Sequence, residues 1–434
     1  MQNIVIGGGL SGLLTARVLA DTGATVTVLE RDAYPTAPSS RTGVPQGHHV
    51  HVLLRKGYDI LCRHFPDLEA ALAEAGAPRL RPTRDLIYHG PGGLCPRFDA
   101  DFEVVLPSRN LLEWGVRAQL AKDPRVTVRT GCKVDGLRGD DAQVVGVRLG
   151  DELLDADLVV DASGRTSRAP KWLDALGSTA PEENAIPSKN AYATWWMRHP
   201  EPPDDWRGIA LLPQMPNGRR AGFINPAEDG LFIVTLAGTQ GEEPPVKPEA
   251  FLEFARSLPE PRIAAFIESA EPVGPIRAWR RMGNRIRHYD RLRNPPGGFV
   301  VLGDAYCAFN PVYGQGITVG AMEADALGKM LARRDDVHTT AFVRAFYRQL
   351  RGIVRIPWTM ATSQDIRQTE GAEAMDWATR MSTPYMDSFL RLITQNPQAY
   401  LTFLQVVHMV RPPTAVAQPR FLLPVLGGML RPSA

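Results

Sequence analysis

Three glycines near the start, Gly7, Gly9 and Gly12, stand in the spacing G-x-G-x-x-G, and an acid, Glu30, follows the second apolar run after them. These residue types suit one task, holding a dinucleotide. Gly7 permits a tight turn, Gly9 lets the backbone approach a pyrophosphate, and Gly12 lets a helix pack closely on a strand. Glu30, about 20 residues on, is placed to accept hydrogen bonds from a ribose 2′-OH. Two later stretches also deliver an acid to a glycine-bearing turn. DLVVDASGRTSR carries Asp161, Gly164 and Arg165; GDAYCAFNPVYGQGI carries Gly303, Asp304, Pro311, Gly314, Gly316 and Ile317.

Elements must position these residues. Asn3 to Ile6 reads as a buried parallel strand, Leu10 to Asp21 as a helix and Ala24 to Leu29 as a second strand. The helix N-terminus would turn its free N–H groups and positive dipole end toward phosphates. Further on, Val126 to Arg129, Asp157 to Asp161 and Gly298 to Leu302 read as buried strands, and Lys133 to Leu154 as a meander. Ser108 should cap a helix over Asn110 to Ala121. From Ile186 to Leu236 the runs NAYATWWMRH, RRAGFIN and GLFIVTLAG alternate β-formers between Pro/Gly turns, the pattern of an inserted antiparallel sheet. After Thr339 the chain reads as helical, with Pro357, Pro384, Pro397 and Pro412-Pro413 breaking it.

Composition narrows the function classes. The 434 residues allow two or three domains, and a net charge of +2 gives no field for nucleic acid or an anionic membrane. Four cysteines without a C-x-x-C argue against a zinc site or a disulfide framework and fit a reducing cytoplasm. No apolar run approaches the roughly 18 residues that a membrane span needs. Entry into a strand at the first residues leaves no room for a signal peptide, so a cytoplasmic protein is expected.

With all three motifs in order, the sequence resembles the flavoprotein monooxygenases of the p-hydroxybenzoate-hydroxylase-like superfamily. Within it, R-x-G-V-P-Q-G-x-H-x-H-x-L-L (Arg41 to Leu54), V-x-D-A-S-G-R-x-S and FNPVYGQGI (Phe309 to Ile317) are similar to flavin epoxidases of polyether antibiotic pathways, the monensin and lasalocid type. The resemblance implies an α/β (α+β) fold. A Rossmann-like FAD-binding domain (1–84, 107–182 and 273–365) would carry an antiparallel-sheet substrate domain (85–106 and 183–272) and a C-terminal helical section (366–434). FAD would be bound non-covalently, with Glu30 on the adenosine ribose and Asp304 on the ribitol. The helix starting near Gly316 would point its N-terminus at the flavin pyrimidine. Leu10, Ser11, Arg31, Gln46, His48, Arg109 and Val134 complete the expected cofactor set.

The implied chemistry is insertion of one oxygen atom from O2 through a flavin C4a-hydroperoxide, by epoxidation or hydroxylation in secondary metabolism. Electrons would come from NADPH or NADH, directly or through a separate flavin reductase. No substrate-deprotonating base is visible, which favours epoxidation of a lipophilic polyene, polyketide, terpenoid or aromatic compound. Arg41 could meet the pyrophosphate or the isoalloxazine edge, or pin its loop by a salt bridge. Pro311, Tyr313 and Asn310 could face the flavin ring. Trp195, Met197 and Phe223 are candidates for a substrate lining or for ordinary sheet core. His48, His49 and His51 could line the flavin, attach to it, serve structure or bind a metal, although nothing nearby supplies further ligands. Rival readings are a prenyl-chain reductase of the geranylgeranyl type and a non-catalytic nucleotide-binding protein. A halogenase would carry W-x-W-x-I-P, and TWWMRHP lacks it.

Overall fold

The computed structural model describes residues 1–214, 218–280 and 283–429, so Met215 and Pro216 of one predicted sheet run and the last five residues of the helical section lie outside it. A five-stranded parallel sheet forms the base, in the order Phe299–Val301, Leu158–Asp161, Gln2–Ile6, Thr25–Leu29, Val126–Arg129. Its strands are short and almost continuously apolar because both faces are covered. Ile4, Val5, Val26, Val28, Val159, Val160 and Val300 are all buried. The helices Leu10–Asp21 and Gly316–Leu331 pack against each other, and Gly328 permits this because an added Cβ would stand 2.3 Å from Val18. The predicted meander is present as Gly136–Gly139, Val144–Leu149 and Glu152–Asp155.

A seven-stranded sheet forms the second layer, in the order Glu271–Trp279, Ala191–Arg198, Leu231–Gly238, Arg220–Pro226, Gly208–Leu211, Leu86–Gly90, Gly93–Leu94. It is antiparallel except where Gly208–Leu211 runs parallel to Leu86–Gly90. Helices Pro248–Arg256 and Pro261–Ser269 cover one face, around Phe251, Phe254, Ile263 and Phe266. A small sheet joins Glu183–Pro187, just before the larger sheet's strand Ala191–Arg198, to Gly283–Arg287 and Cys307–Ala308, which follow Glu271–Trp279.

The C-terminal part corrects one expectation. Pro357 sits inside a single helix, Thr340–Thr369, and Pro384 inside Trp377–Leu392. A proline in a helix interior costs about 3 kcal/mol. Burial of Phe342, Val343, Phe346, Tyr347, Leu350 and Val354 along the long helix offsets that cost. The later helices share a core with Leu80, Phe102 and Val104 through Phe389, Tyr400 and Phe421. Among the described residues no helix is long and apolar enough to cross a membrane.

Two buried histidines make this fold acid-sensitive. Burial, with the nearby charges of His48 and Arg277, lowers His49 to about 4. Burial, with Arg55 nearby, does the same to His408, whose Nδ1 accepts the Arg55 N–H at 3.1 Å. Below the ordinary value of 6.5 the unfolded chain takes up protons that the folded chain refuses, so stability falls as the pH drops from 6.5 toward 4. We expect the denaturation midpoint to fall from pH 7 to pH 5 (roughly the span over which these groups load). In His408→Asn the slope in that range should shrink by about 1.4 kcal/mol per pH unit, one proton's worth. An unchanged slope would remove His408 from the account.

Candidate active site

At the nucleotide end, the three glycines have separable roles. Gly7 has φ +98°, and an added Cβ would stand 2.6 Å from the Ala162 carbonyl oxygen. A Cβ on Gly12 would stand 1.9 Å from the Gly7 carbonyl oxygen, so both glycines are required by close packing. Gly9 differs: no atom lies within 4 Å of its added Cβ, and it begins a helix whose first turn has no side-chain cap. Uncapped N–H groups at a helix start beside open space fit a pyrophosphate.

Glu30 is buried, with one oxygen accepting the Gly8 N–H at 2.8 Å and the other the Asp32 N–H at 2.9 Å. The Tyr34 hydroxyl donates to the Gly8 carbonyl. Arg41 lies in this same cluster, bound to Asp32 and Glu113 at 2.7 Å each and 3.3 Å from Glu30. Of the placements open for Arg41, these ion pairs are those of a loop-pinning salt bridge. Three carboxylates hold it on the nucleotide side, and no hydrogen bond or ion pair among the described residues joins it to Pro311 or Tyr313. Arg31 is exposed, 3.8 Å from Asp32, and Val134 is buried in the main core.

The two downstream acids are treated differently by the fold. Asp161 is buried and satisfied, accepting the Ser163 N–H at 2.9 Å and the Ser167 hydroxyl. It shapes the loop that presses on Gly7, so its contribution is to the turn. Gly164, with φ +81°, has open space beside it. Asp304 is the opposite case. Burial pushes its carboxyl up, the charges of Arg165, Arg109 and Arg285 oppose that, and no hydrogen bond or ion pair to it is present among the described residues. A desolvated carboxylate near three cations is built to accept from hydroxyl groups of a ligand. The buried Arg109 Nε, Ser163 hydroxyl and Gln315 Oε1 also lack partners. These features fit FAD.

Close packing brings the motifs together. Added Cβ atoms on Gly303 and Gly320 would stand 3.1 and 2.3 Å from the Ser11 hydroxyl oxygen, and one on Gly316 3.5 Å from Asp304 Oδ1. Buried Glu323 accepts the Gly303 N–H, tying the Gly-Asp turn to the helix that follows. That helix starts at Gly316 without a side-chain cap. Before it, the turn Pro311–Tyr313 is capped by Asn310, whose side chain accepts the Val312 N–H, and Gly314 takes φ +65°. Pro311 is exposed, Tyr313 and Ile317 are half-buried, and the Tyr313 hydroxyl donates to Asp365 at 2.9 Å.

The substrate sheet reverses part of the expectation. Trp195 packs edge-on against Phe251 and Met197 is fully buried, both beneath the covering helices. They are core residues. On the opposite face, Thr194 Oγ1 lies 3.0 Å from His49 Nδ1, and Trp196 donates to the His48 carbonyl at 3.0 Å. Tyr192 meets His49 edge-on at 4.8 Å and clusters with Phe223 and Trp279. Alternation separates the two faces, but both carry aromatics, and only the packing of residues 248–269 decides which is covered. Gln46 is exposed in the turn Pro45–His48. Among the described residues no group of three His, Cys, Asp or Glu could hold a metal.

Two substitutions separate ligand contacts from folding. Gly9→Ala should leave apo stability within about 1 kcal/mol and weaken FAD at least about tenfold, because its methyl enters the pyrophosphate space. Asp304→Ala should leave the apo protein equally or more stable, since a desolvated carboxylate is removed. It should nevertheless weaken FAD by roughly 10- to 100-fold, the loss of hydrogen bonds to a charged group. Flavin fluorescence titration and apo melting check both, and wild-type FAD affinity in Asp304→Ala would refute its role.

Comparison with known proteins agrees with this site. The family model described as an FAD binding domain matches residues 1–335. Protein Rv3254 of Mycobacterium tuberculosis is 33% identical over 347 residues, 76% of this chain and 73% of that protein. Rifampicin monooxygenase of Streptomyces venezuelae is 26% identical over 334 residues, 77% of this chain and 64% of that protein. A triple mutant of the flavin-dependent brominase Bmp2 superposes with a TM-score of 0.64 at 16% identity, covering 97% of this chain and 98% of that one, which is a likeness of fold. This chain belongs to the FAD binding domain family.

Proposed function

We propose that the protein inserts one oxygen atom from O2 into a lipophilic small molecule, by epoxidation or hydroxylation. The observation that carries this reading is the exposed-side face of the large sheet, where Tyr192, Trp196, Phe223 and Trp279 form an aromatic wall beside a His49 that burial keeps neutral. The wall starts next to the turn Pro311–Tyr313, because Ser188 and Asn310, just before each, hydrogen-bond at 3.1 Å. When bound, FAD supplies the redox chemistry, taking electrons from NADPH or NADH and passing them to O2. The chain supplies the rest. Its turns hold the dinucleotide, the aromatic wall orients an apolar partner, and the covered sheet keeps water out.

Epoxidation is the finer form of the proposal. It needs no substrate-deprotonating base, and burial makes the imidazole of His49, beside the wall, a weak one. The resemblance of Arg41 to Leu54 and Phe309 to Ile317 to polyether-pathway epoxidases supports the same choice. Halogenation, the activity in the brominase's name, is disfavoured by the missing W-x-W-x-I-P segment. Cytoplasmic location and the use of a separate flavin reductase are parts of the proposal.

The test supplies FAD, NADPH with and without a flavin reductase, isotope-labelled O2, and a panel of alkenes and phenols. One labelled oxygen per product molecule is expected. Saturation of an alkene under anaerobic conditions, with no label incorporated under air, would favour the prenyl-reductase reading instead.

A further inference from the structure

Asp365 has no part in the sequence motifs, yet more polar side chains converge on it than on any residue of the motifs. It lies near the end of the helix Thr340–Thr369 and is fully buried. Its carboxylate accepts from Asn284 Nδ2 at 2.6 Å, the Tyr313 hydroxyl at 2.9 Å and Asn310 Nδ2 at 3.1 Å. Ser188 and Asn190 stand at 3.4 and 3.5 Å. Asn284 returns the favour to the same turn, its Oδ1 accepting the Asn310 N–H at 2.8 Å. Four segments therefore meet at one carboxyl group. They are the long helix, the strand Gly283–Arg287, the turn before Gly316, and the residues leading into the strand Ala191–Arg198. Burial pushes this carboxyl up and the hydrogen bonds from Asn310, Tyr313, Asn284 and Ser188 oppose that, so the donors are held where the carboxyl needs them.

We propose that Asp365 is a positioning residue that fixes Asn310 and Tyr313, and so sets the gap between the FAD ring site and the aromatic substrate wall. The inference rests on the oxygenase reading for its consequence in turnover. Asn in place of Asp keeps the shape but turns an NH2 toward the three donors, leaving at least one of them unpaired. Asp365 acts through Asn310 and Tyr313, so the effects of Asp365→Asn and Tyr313→Phe should not add.

The experiment compares holoenzyme of the wild type, Asp365→Asn, Tyr313→Phe and the double variant. The readouts are FAD affinity, the visible band of bound oxidised FAD, and the fraction of electrons lost as hydrogen peroxide in the presence of substrate. Asp365→Asn should keep FAD affinity within about fivefold, shift the flavin band and raise the peroxide fraction several-fold; Tyr313→Phe should act in the same direction, and the double variant should be no worse than Asp365→Asn. Lowered melting temperature with an unshifted band and unchanged peroxide fraction would reduce Asp365 to a folding role and overturn the proposal, as would additive effects. If Asp365→Asn does not fold, Tyr313→Phe decides alone, since it removes one hydroxyl from a half-buried side chain. If the wild type oxygenates nothing, the oxygenase reading fails, and an unshifted flavin band in the variants is then what overturns the positioning role.

Discussion

Three backbone turns must approach one another more closely than side chains allow, and the rest of the structure depends on that approach. The turn at Gly7 lies under the Ala162 carbonyl, Gly12 presses on Gly7, and Gly303 and Gly320 close on Ser11. A Cβ at these positions would meet atoms at 1.9 to 3.1 Å. Packed interiors leave no slack for such overlaps. Because the turns touch, strands far apart in the chain end at one place, and the helices that start at Leu10 and Gly316 pack on each other.

Electrostatics divides the work among residues of the same type. Asp161 ends one parallel strand and Asp304 follows another, each at a glycine-bearing turn; the fold satisfies the first, and among the described residues the second has no hydrogen bond or ion pair. Glu30 spends both oxygens and Glu323 one oxygen on backbone N–H groups, holding the turns at Gly8 and Gly303. Buried acids in this protein thus organise backbone wherever they are saturated. Asp304, with no hydrogen bond or ion pair among the described residues, marks where a ligand would complete the shell.

The parts legible in the sequence are those where backbone geometry restricts residue type. Glycine at positions 7, 12, 303 and 314 is demanded by positive φ or contact with another backbone or side chain, and such demands survive as spacing. Parallel strands were legible because burial on both faces leaves continuous apolar runs. What escaped is decided by which surfaces meet. Trp195 and Trp196 are equivalent in sequence, and only the helices over residues 248–269 make one of them core. For Arg41 the sequence left several placements open, because its partner Glu113 lies on a distant helix. Asp365 sits among Ser, Gln and Arg in an ordinary helical stretch, and nothing in that stretch announces five converging polar neighbours.

The central claim is that the groove from Gly9 to Asp304 is shaped for FAD, ADP end included. Calorimetric titration of the apo protein with FAD, FMN and NADP+ tests it most directly. The account predicts one FAD per chain, displaced by ADP, with FMN far weaker because it cannot engage the turn at Gly9. Tighter binding of NADP+ than of FAD, or equal binding of FMN, would contradict it.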